Sequence, residues 1–210
     1  MNIASLILAA GGSTRLGGSP KQLLRQEDTT LVRHITEAAL ALQAGPVIVV
    51  LGANQDQIGL ELDGLSVHVV ANDDWQSGMA SSLQVGLQTL WDEPVEAFLV
   101  LLTDQPFVNA DLLQQLIQTR QQTNQGIVAC RYGEPGNLGV PALFSIQYKD
   151  EFMRLTGDVG ARKLIRQHLN DCAEISFPLA NIDLDTWDDV TAWQKSKDDA
   201  EGDLLSNNRY

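Results

Sequence analysis

The sequence predicts a doubly wound α/β domain on a mostly parallel sheet. Three observations carry that expectation. Short, continuous apolar runs recur along the chain. Amphipathic helical stripes alternate with them. The first apolar run ends in a glycine-rich loop, the usual place for a ligand at the carboxyl edge of such a sheet.

The apolar runs are Ile3 to Ala10, Val47 to Leu51, Val67 to Ala71, Ala97 to Leu102 and Ile127 to Cys130. They are short and rich in Val, Ile and Leu, which fits strands covered on both faces. Between them lie stripes at helical spacing. Leu31, Ile35, Ala38, Ala39 and Leu42 form the first, with Asp28 near its N-cap. Met79, Leu83, Leu87 and Leu90 follow Ser77, and Leu112, Leu113, Leu116 and Ile117 follow the capping residue Asn109. Ala161, Leu164, Ile165 and Leu169 follow Asp158, and a last stripe runs from about Thr186 to Trp193. Arg131 to Gly139 reads as a glycine-rich excursion, and Pro141 to Phe144 as a further, antiparallel strand. One domain over 1–194 is expected, with a polar, acidic, disordered tail at 195–210.

A chain of 210 residues needs no disulfide or metal staple to hold a core. Its net charge of −13 argues against nucleic-acid and membrane partners, which require basic surfaces. Cys130 and Cys172 form no C-x-x-C pair and read as small core residues. His34, His68 and His168 match no zinc spacing. The N-terminus lacks a basic leader, and no run reaches membrane-spanning length, so a soluble, cytoplasmic protein is expected.

The loop from Leu8 through Ala9, Ala10, Gly11, Gly12 and Ser13 to Arg15, Gly17 and Lys21 is the strongest functional signal. Glycines admit close backbone approach, and exposed amides form an anion-binding concavity. Arg15 and Lys21 would then meet an anion seated on the backbone. The pattern is not a P-loop, because Gly18 rather than lysine follows Gly17, and it is not G-x-G-x-x-G. That disfavours a hydride-transfer dehydrogenase. On its residues alone the loop is either a third kind of nucleotide loop or a flexible turn.

Asp104, in Thr103-Asp104-Gln105-Pro106, ends the Ala97 to Leu102 strand on the same sheet edge. It is placed to hold Mg²⁺, which is usually bound by one or two carboxylates plus substrate phosphates; the alternative is a turn cap before Pro106. Gly78, Ser81 and Ser82 open a helix whose first amides are free for a polar ligand, or else serve close packing with Ala80 and Gly86. Asp185 is either a second metal ligand or, like Thr186, an N-cap.

Together these segments resemble the molybdenum-cofactor nucleotidyltransferases. The matching pieces are the Leu8 to Ser13 loop with Arg15, Gly17 and Lys21; Gly78-Met79 with Ser81-Ser82-Leu83; Thr103 to Pro106; Gly139-Val140-Pro141 with Phe144; Gly157 to Arg162; and Asp183 to Thr186. Leu-Ala-Ala-Gly and Asp-Gln-Pro are similar to the cytidylyl-transferring branch. The resemblance implies a Rossmann-like nucleotidyltransferase fold and CMP transfer from CTP to molybdopterin cofactor, with Mg²⁺ and release of pyrophosphate. It also implies a molybdenum hydroxylase apoenzyme as a further partner. In that scheme Leu8 to Ser13, Gly78, Ser81 and Ser82 bind nucleotide, Arg15, Lys21 and Asp104 are catalytic, Asp104 and Asp185 hold the metal, and Arg162 holds the acceptor. Two departures stand out. Trp187 replaces a proline, and Val140 stands where many cytidylyl relatives carry histidine, which leaves the acceptor open. A nucleotidyltransferase for another phosphorylated small molecule, and a non-catalytic cofactor-delivery protein, are the other readings.

Overall fold

The computed structural model describes residues 1–90, 93–132, 137–181, 184 and 186–194. Among these residues the strands form a seven-stranded sheet and a two-stranded ribbon. The sheet contains β1 (Ile3–Ala9), β4 (Val47–Leu51), β5 (His68–Ala71), β6 (Ala97–Leu102), β7 (Ile127–Tyr132), β8 (Asn137–Ser145) and β9 (Cys172–Ser176), and the ribbon β2 (Arg25–Gln26) and β3 (Thr29–Thr30). The order is β5-β4-β1-β6-β8-β7-β9. β1 pairs in parallel with β4 and β6, and β8 runs antiparallel to both β6 and β7. The expected antiparallel strand is therefore present, and it is longer than Pro141 to Phe144. The supposed excursion after Cys130 is corrected: β7 continues to Tyr132, which pairs with Asn137 at the start of β8, so both flanks are ladder strands.

The helices are α1 (Leu31–Ala41), α2 (Gln55–Leu60), α3 (Met79–Gln88), α4 (Ala110–Thr123), α5 (Lys149–Phe152), α6 (Arg162–Gln167) and a last helix, α7, over 187–194. Alternation along β1 explains why both faces are covered. Ile3, Ile7 and Ala9 join a core with side chains of α1, α2 and α4, while Ala4, Leu6, Leu8 and Ala10 join another with α3, α5 and α6. A third cluster packs Leu16 of the glycine loop against Leu31, Leu184, Val190 and Trp193, which pins the loop beneath α7.

Local capping follows side-chain chemistry. Asn109 Oδ1 accepts the Leu112 amide at 3.0 Å, as its type predicts. Asp28 does not cap α1: residues 25–30 fold into the ribbon, and Thr30 takes the N-cap position while its hydroxyl donates to Glu61. At α7, Thr186 and Asp189 form a reciprocal box. Thr186 Oγ1 accepts the Asp189 amide at 3.2 Å, and Asp189 Oδ2 accepts the Thr186 amide at 2.7 Å. Cys130 is buried, and burial pushes its thiol up to about 12; Cys172 is half-buried and pushed up to about 11. Neither is a nucleophile near neutral pH. The tail at 195–210 lies outside the described residues. Among the described residues no helix is long and apolar enough to cross a membrane.

Candidate active site

Sheet register brings the two informative sequence segments together. Leu8 pairs with Leu102, so the glycine loop and Thr103-Asp104 leave the sheet side by side. They flank an open cleft at the carboxyl edge, with two adjoining lobes of about 560 and 510 Å³. Gly11, Ser13, Lys21, Asp104 and Asp158 line both lobes. Arg15 and Arg162 line the first, with an apolar floor of Val100, Leu102 and Val140. Leu8, Ala10, Gly12, Trp75, Gly78 and Ser82 line the second.

The loop is held by hydrogen bonds from Ala53 and Gln22 and by one within itself. Ala10 carbonyl accepts the Ala53 amide at 3.0 Å, tying the end of β1 to the turn after β4. Gln22, almost fully buried, donates its amide to the carbonyls of Ala9 (3.0 Å) and Gly11 (2.9 Å). Ser13, at φ 48°, accepts the Lys21 amide on its hydroxyl at 3.0 Å. Among the described residues the amides of Gly11, Gly12 and Ser13 have no acceptor. A loop with its carbonyls occupied and its amides open is an anion nest.

Lys21 and Asp104 meet at the seam of the two lobes. Lys21 Nζ lies 2.5 Å from Asp104 Oδ2. The other carboxylate oxygen, Oδ1, is buried and has no hydrogen-bond partner among the described residues. The described lining brings Arg15, Lys21 and Arg162 together in a chain of net charge −13, and three cations on one cleft suit a phosphorylated ligand.

Residues 5–172 match the family model described as MobA-like NTP transferase domain. The chain belongs to that family. The resemblance read from the sequence is borne out at this level, and the MobA-like NTP transferase is a nucleotidyltransferase with the fold expected of one. The chain is 30% identical over 198 residues to nicotine blue oxidoreductase of Paenarthrobacter nicotinovorans, covering 88% of this chain and 92% of that protein. It is also similar to the crystal structure of Rv0371c from Mycobacterium tuberculosis H37Rv (TM-score 0.77, 30% identity, 92% of this chain and 98% of that one). A complex of the same mycobacterial protein with manganese gives a TM-score of 0.75 at 30% identity, over 91% of this chain and 97% of that one.

The residues singled out in the sequence fall into three groups in this MobA-like NTP transferase. Leu8, Ala10, Gly11, Gly12, Ser13, Arg15, Lys21, Gly78, Ser82, Asp104 and Arg162 all line the cleft. Ala9 and Ser81 are not among its lining residues: Ala9 carbonyl is held by Gln22, and Ser81 Oγ accepts from Asn72 and reaches the carbonyls of Asp74 and Gly78. Asp185 lies outside the described residues, although the neighbouring Leu184 amide donates to the Asp104 carbonyl at 3.2 Å. Among the described residues no group of three or more His, Cys, Asp or Glu is placed to hold a metal.

Gly78 serves packing as well as the cleft. At φ 115°, a Cβ there would sit 2.3 Å from the Gly157 carbonyl carbon. Sequence reasoning missed Gln22, Trp75 and Asn72 as site-building residues, and Asp158 as a residue facing both lobes. Asn72 is buried and donates to both Ser81 Oγ (2.8 Å) and Ser82 Oγ (2.9 Å). Trp75 lies against the loop so closely that a Cβ on Gly12 would be 2.9 Å from its ring. Asp158 lies inside the Gly157 to Arg162 segment, where the sequence marks it only as a residue before a helix.

Proposed function

We propose that this protein transfers CMP from CTP to the phosphate of molybdopterin cofactor and releases pyrophosphate. The observation that carries the reading is the Lys21–Asp104 pair at the seam of two lobes, beside a loop with three open amides. A cleft of two lobes suits a reaction that joins two phosphorylated molecules.

An acceptor phosphate oxygen attacks the α-phosphorus in line, and the bond from that phosphorus to the bridging oxygen of pyrophosphate breaks. The nucleophile is already an anion, so the protein contributes position and charge. The amides of Gly11, Gly12 and Ser13 seat the phosphates. Lys21 and Arg15 neutralise the triphosphate and the departing pyrophosphate. Gly78 and Ser82 border the base and ribose in the second lobe, and Arg162 meets the acceptor in the first. Asp104, with Asp185, would hold a divalent cation, and the open Oδ1 of Asp104 fits that task. When bound, the ion supplies charge neutralisation at phosphate oxygens. Mg²⁺ suits one or two carboxylates plus phosphates; manganese is the ion named with one structural neighbour. A molybdenum hydroxylase apoenzyme as recipient and a cytoplasmic location belong to the same proposal.

One observation favours a second reading: a relative at 30% identity carries an oxidoreductase name. The deciding assay incubates the protein with labelled CTP, GTP or ATP, Mg²⁺ or Mn²⁺, and molybdopterin cofactor. Labelled cofactor and pyrophosphate from CTP are expected. Label from GTP alone overturns the choice of nucleotide, and turnover with another phosphorylated acceptor only overturns the choice of cofactor. Cofactor binding without turnover selects a delivery protein. Redox turnover without nucleotide turnover selects the second reading, an oxidoreductase.

A further inference from the structure

We infer that Gln22 is the positioning residue of the phosphate loop and sets its affinity for a polyphosphate. The inference rests on the nucleotide reading of the cleft and adds a residue that no motif in the chain marks out.

Gln22 is 1% exposed, an unusual place for a primary amide. It is there because its donors are used twice, on the carbonyls of Ala9 and Gly11 at 3.0 and 2.9 Å. Those two carbonyls point to one side of the chain, and the intervening Ala10 carbonyl is taken by Ala53 on the other. With all three carbonyls held, the backbone from Ala9 to Gly11 has one orientation, and the amides of Gly11, Gly12 and Ser13 remain for a ligand. Gln22 Oε1 lies 3.5 Å from the Ser13 hydroxyl, and that hydroxyl accepts the Lys21 amide at 3.0 Å. The side chain that shapes the nest is therefore one residue from the Lys21 ammonium and linked to its backbone. Gln22 borders the second lobe and not the first beside Arg15 and Arg162; with both its donors spent on the carbonyls of Ala9 and Gly11, it acts through the loop.

The side-chain nitrogen is the group that matters. Without it, the buried Ala9 carbonyl and the half-buried bond at the Gly11 carbonyl lose their donor, which costs more than an ordinary exposed hydrogen bond. Gln22→Leu removes donor and acceptor together. Gln22→Glu keeps the shape but sets a carboxylate against two carbonyl oxygens. Protonated, the same carboxyl regains one O–H donor.

The test is calorimetric titration of the full chain with inorganic tripolyphosphate and with CTP, each with Mg²⁺. Wild type is expected to bind both. At about pH 8 each variant is expected to bind about tenfold more weakly or worse, the scale of one unsatisfied buried polar group. At about pH 6 Gln22→Glu is expected to recover part of that loss as its buried carboxyl takes a proton, while Gln22→Leu recovers none. A merely structural role would lower melting temperature without this pH-dependent affinity. Should Gln22→Leu fail to fold, the pH profile of Gln22→Glu carries the test alone. Wild-type affinity in the variants, or a Gln22→Glu affinity that tracks wild type at every pH, overturns the role of Gln22 and leaves the nucleotide reading standing. A wild-type chain that binds neither ligand overturns both.

Discussion

Lys21 Nζ lies 2.5 Å from Asp104 Oδ2, with the side chains only 17% and 13% exposed, although 83 residues separate them. The register Leu8↔Leu102 makes the contact, because it delivers the two loops from adjacent parallel strands. The pair sets an ammonium that suits a phosphate beside a carboxylate that suits a cation. Lys21→Ala is expected to lower pyrophosphate release by about 10²–10³, the scale of one lost charge stabiliser. Asp104→Asn should do the same. Because the two act as a unit, the double variant should lose little more than either single one. Rates of pyrophosphate release from the three variants check this; multiplying losses would show that the residues work separately.

Chelation should abolish that release, and Mg²⁺ or Mn²⁺ should restore it. The ground is Asp104 Oδ1, a buried oxygen without a hydrogen-bond partner among the described residues. Such an oxygen is costly unless something meets it. Titrating the metal into chelated protein gives the check: Asp104→Asn should need a higher metal concentration for half-maximal rate, whereas Arg162→Ala should not.

Most of the strands legible in this sequence are covered on both sides; β5, an exposed strand at the sheet edge, is the exception and shows only through its adjacent valines. β1, β4 and β6 are buried at nearly every position, so each reads as a continuous apolar run. α2 buries only Ile58, and β9 lies at the sheet edge with half-exposed residues, so neither leaves a pattern strong enough to see. The site divides in the same way. The glycines and cations of the loop announce a phosphate, because few other structures need that composition. Gln22 announces nothing, since a glutamine in sequence looks like any surface amide. Its meaning arises only when the chain turns back and sets it against carbonyls 11 and 13 positions earlier. Asp28 misled for a related reason: a good capping type lay near the helix, but the ribbon at 25–30 took that stretch.

Gly78→Ala and Gly160→Ala should differ in cost, although both glycines lie on the contact between α3 and the 157–160 loop. At Gly78 a Cβ meets backbone, 2.3 Å from Gly157 C and 2.6 Å from Asp158 N, at φ 115°. Backbone held by the Ala80 amide to Gly157 carbonyl bond of 3.1 Å has little room to shift. At Gly160 a Cβ meets Met79 Sδ at 2.4 Å, and a thioether side chain rotates away. Roughly 2–4 kcal/mol is expected for Gly78→Ala and under about 1.5 kcal/mol for Gly160→Ala. Urea unfolding of both variants checks the order, and equal costs would mean the 157–160 loop yields as easily as a methionine.

Stability should fall at both ends of the pH scale through one contact far from the cleft. Tyr148 donates its hydroxyl to Asp171 Oδ2 at 2.5 Å, and the Gly126 amide donates to Oδ1 at 2.7 Å. Burial tends to raise the Asp171 carboxyl, but hydrogen bonds from Tyr148 and Gly126, with Arg120 and His168 nearby, outweigh it and leave the carboxyl below its ordinary value. Burial first, and then Asp171, push Tyr148 up to about 12. The signs are opposite. A lowered carboxyl adds stability that is complete above its unfolded value of about 3.9 and disappears as pH falls through the folded one. A raised phenol adds stability that is complete below about 10 and disappears as pH rises toward its folded value. Urea melts across pH should therefore show a plateau at neutral pH. Asp171→Asn should lower the plateau and flatten the acid limb, because the group that titrates there is gone. Tyr148→Phe should flatten the alkaline limb and also steepen no part of the acid one, since the donor that lowers Asp171 is lost. Were both limbs unchanged in both variants, the pH dependence would arise elsewhere, and this contact would be a fixed strut holding β9 to the turn before β7.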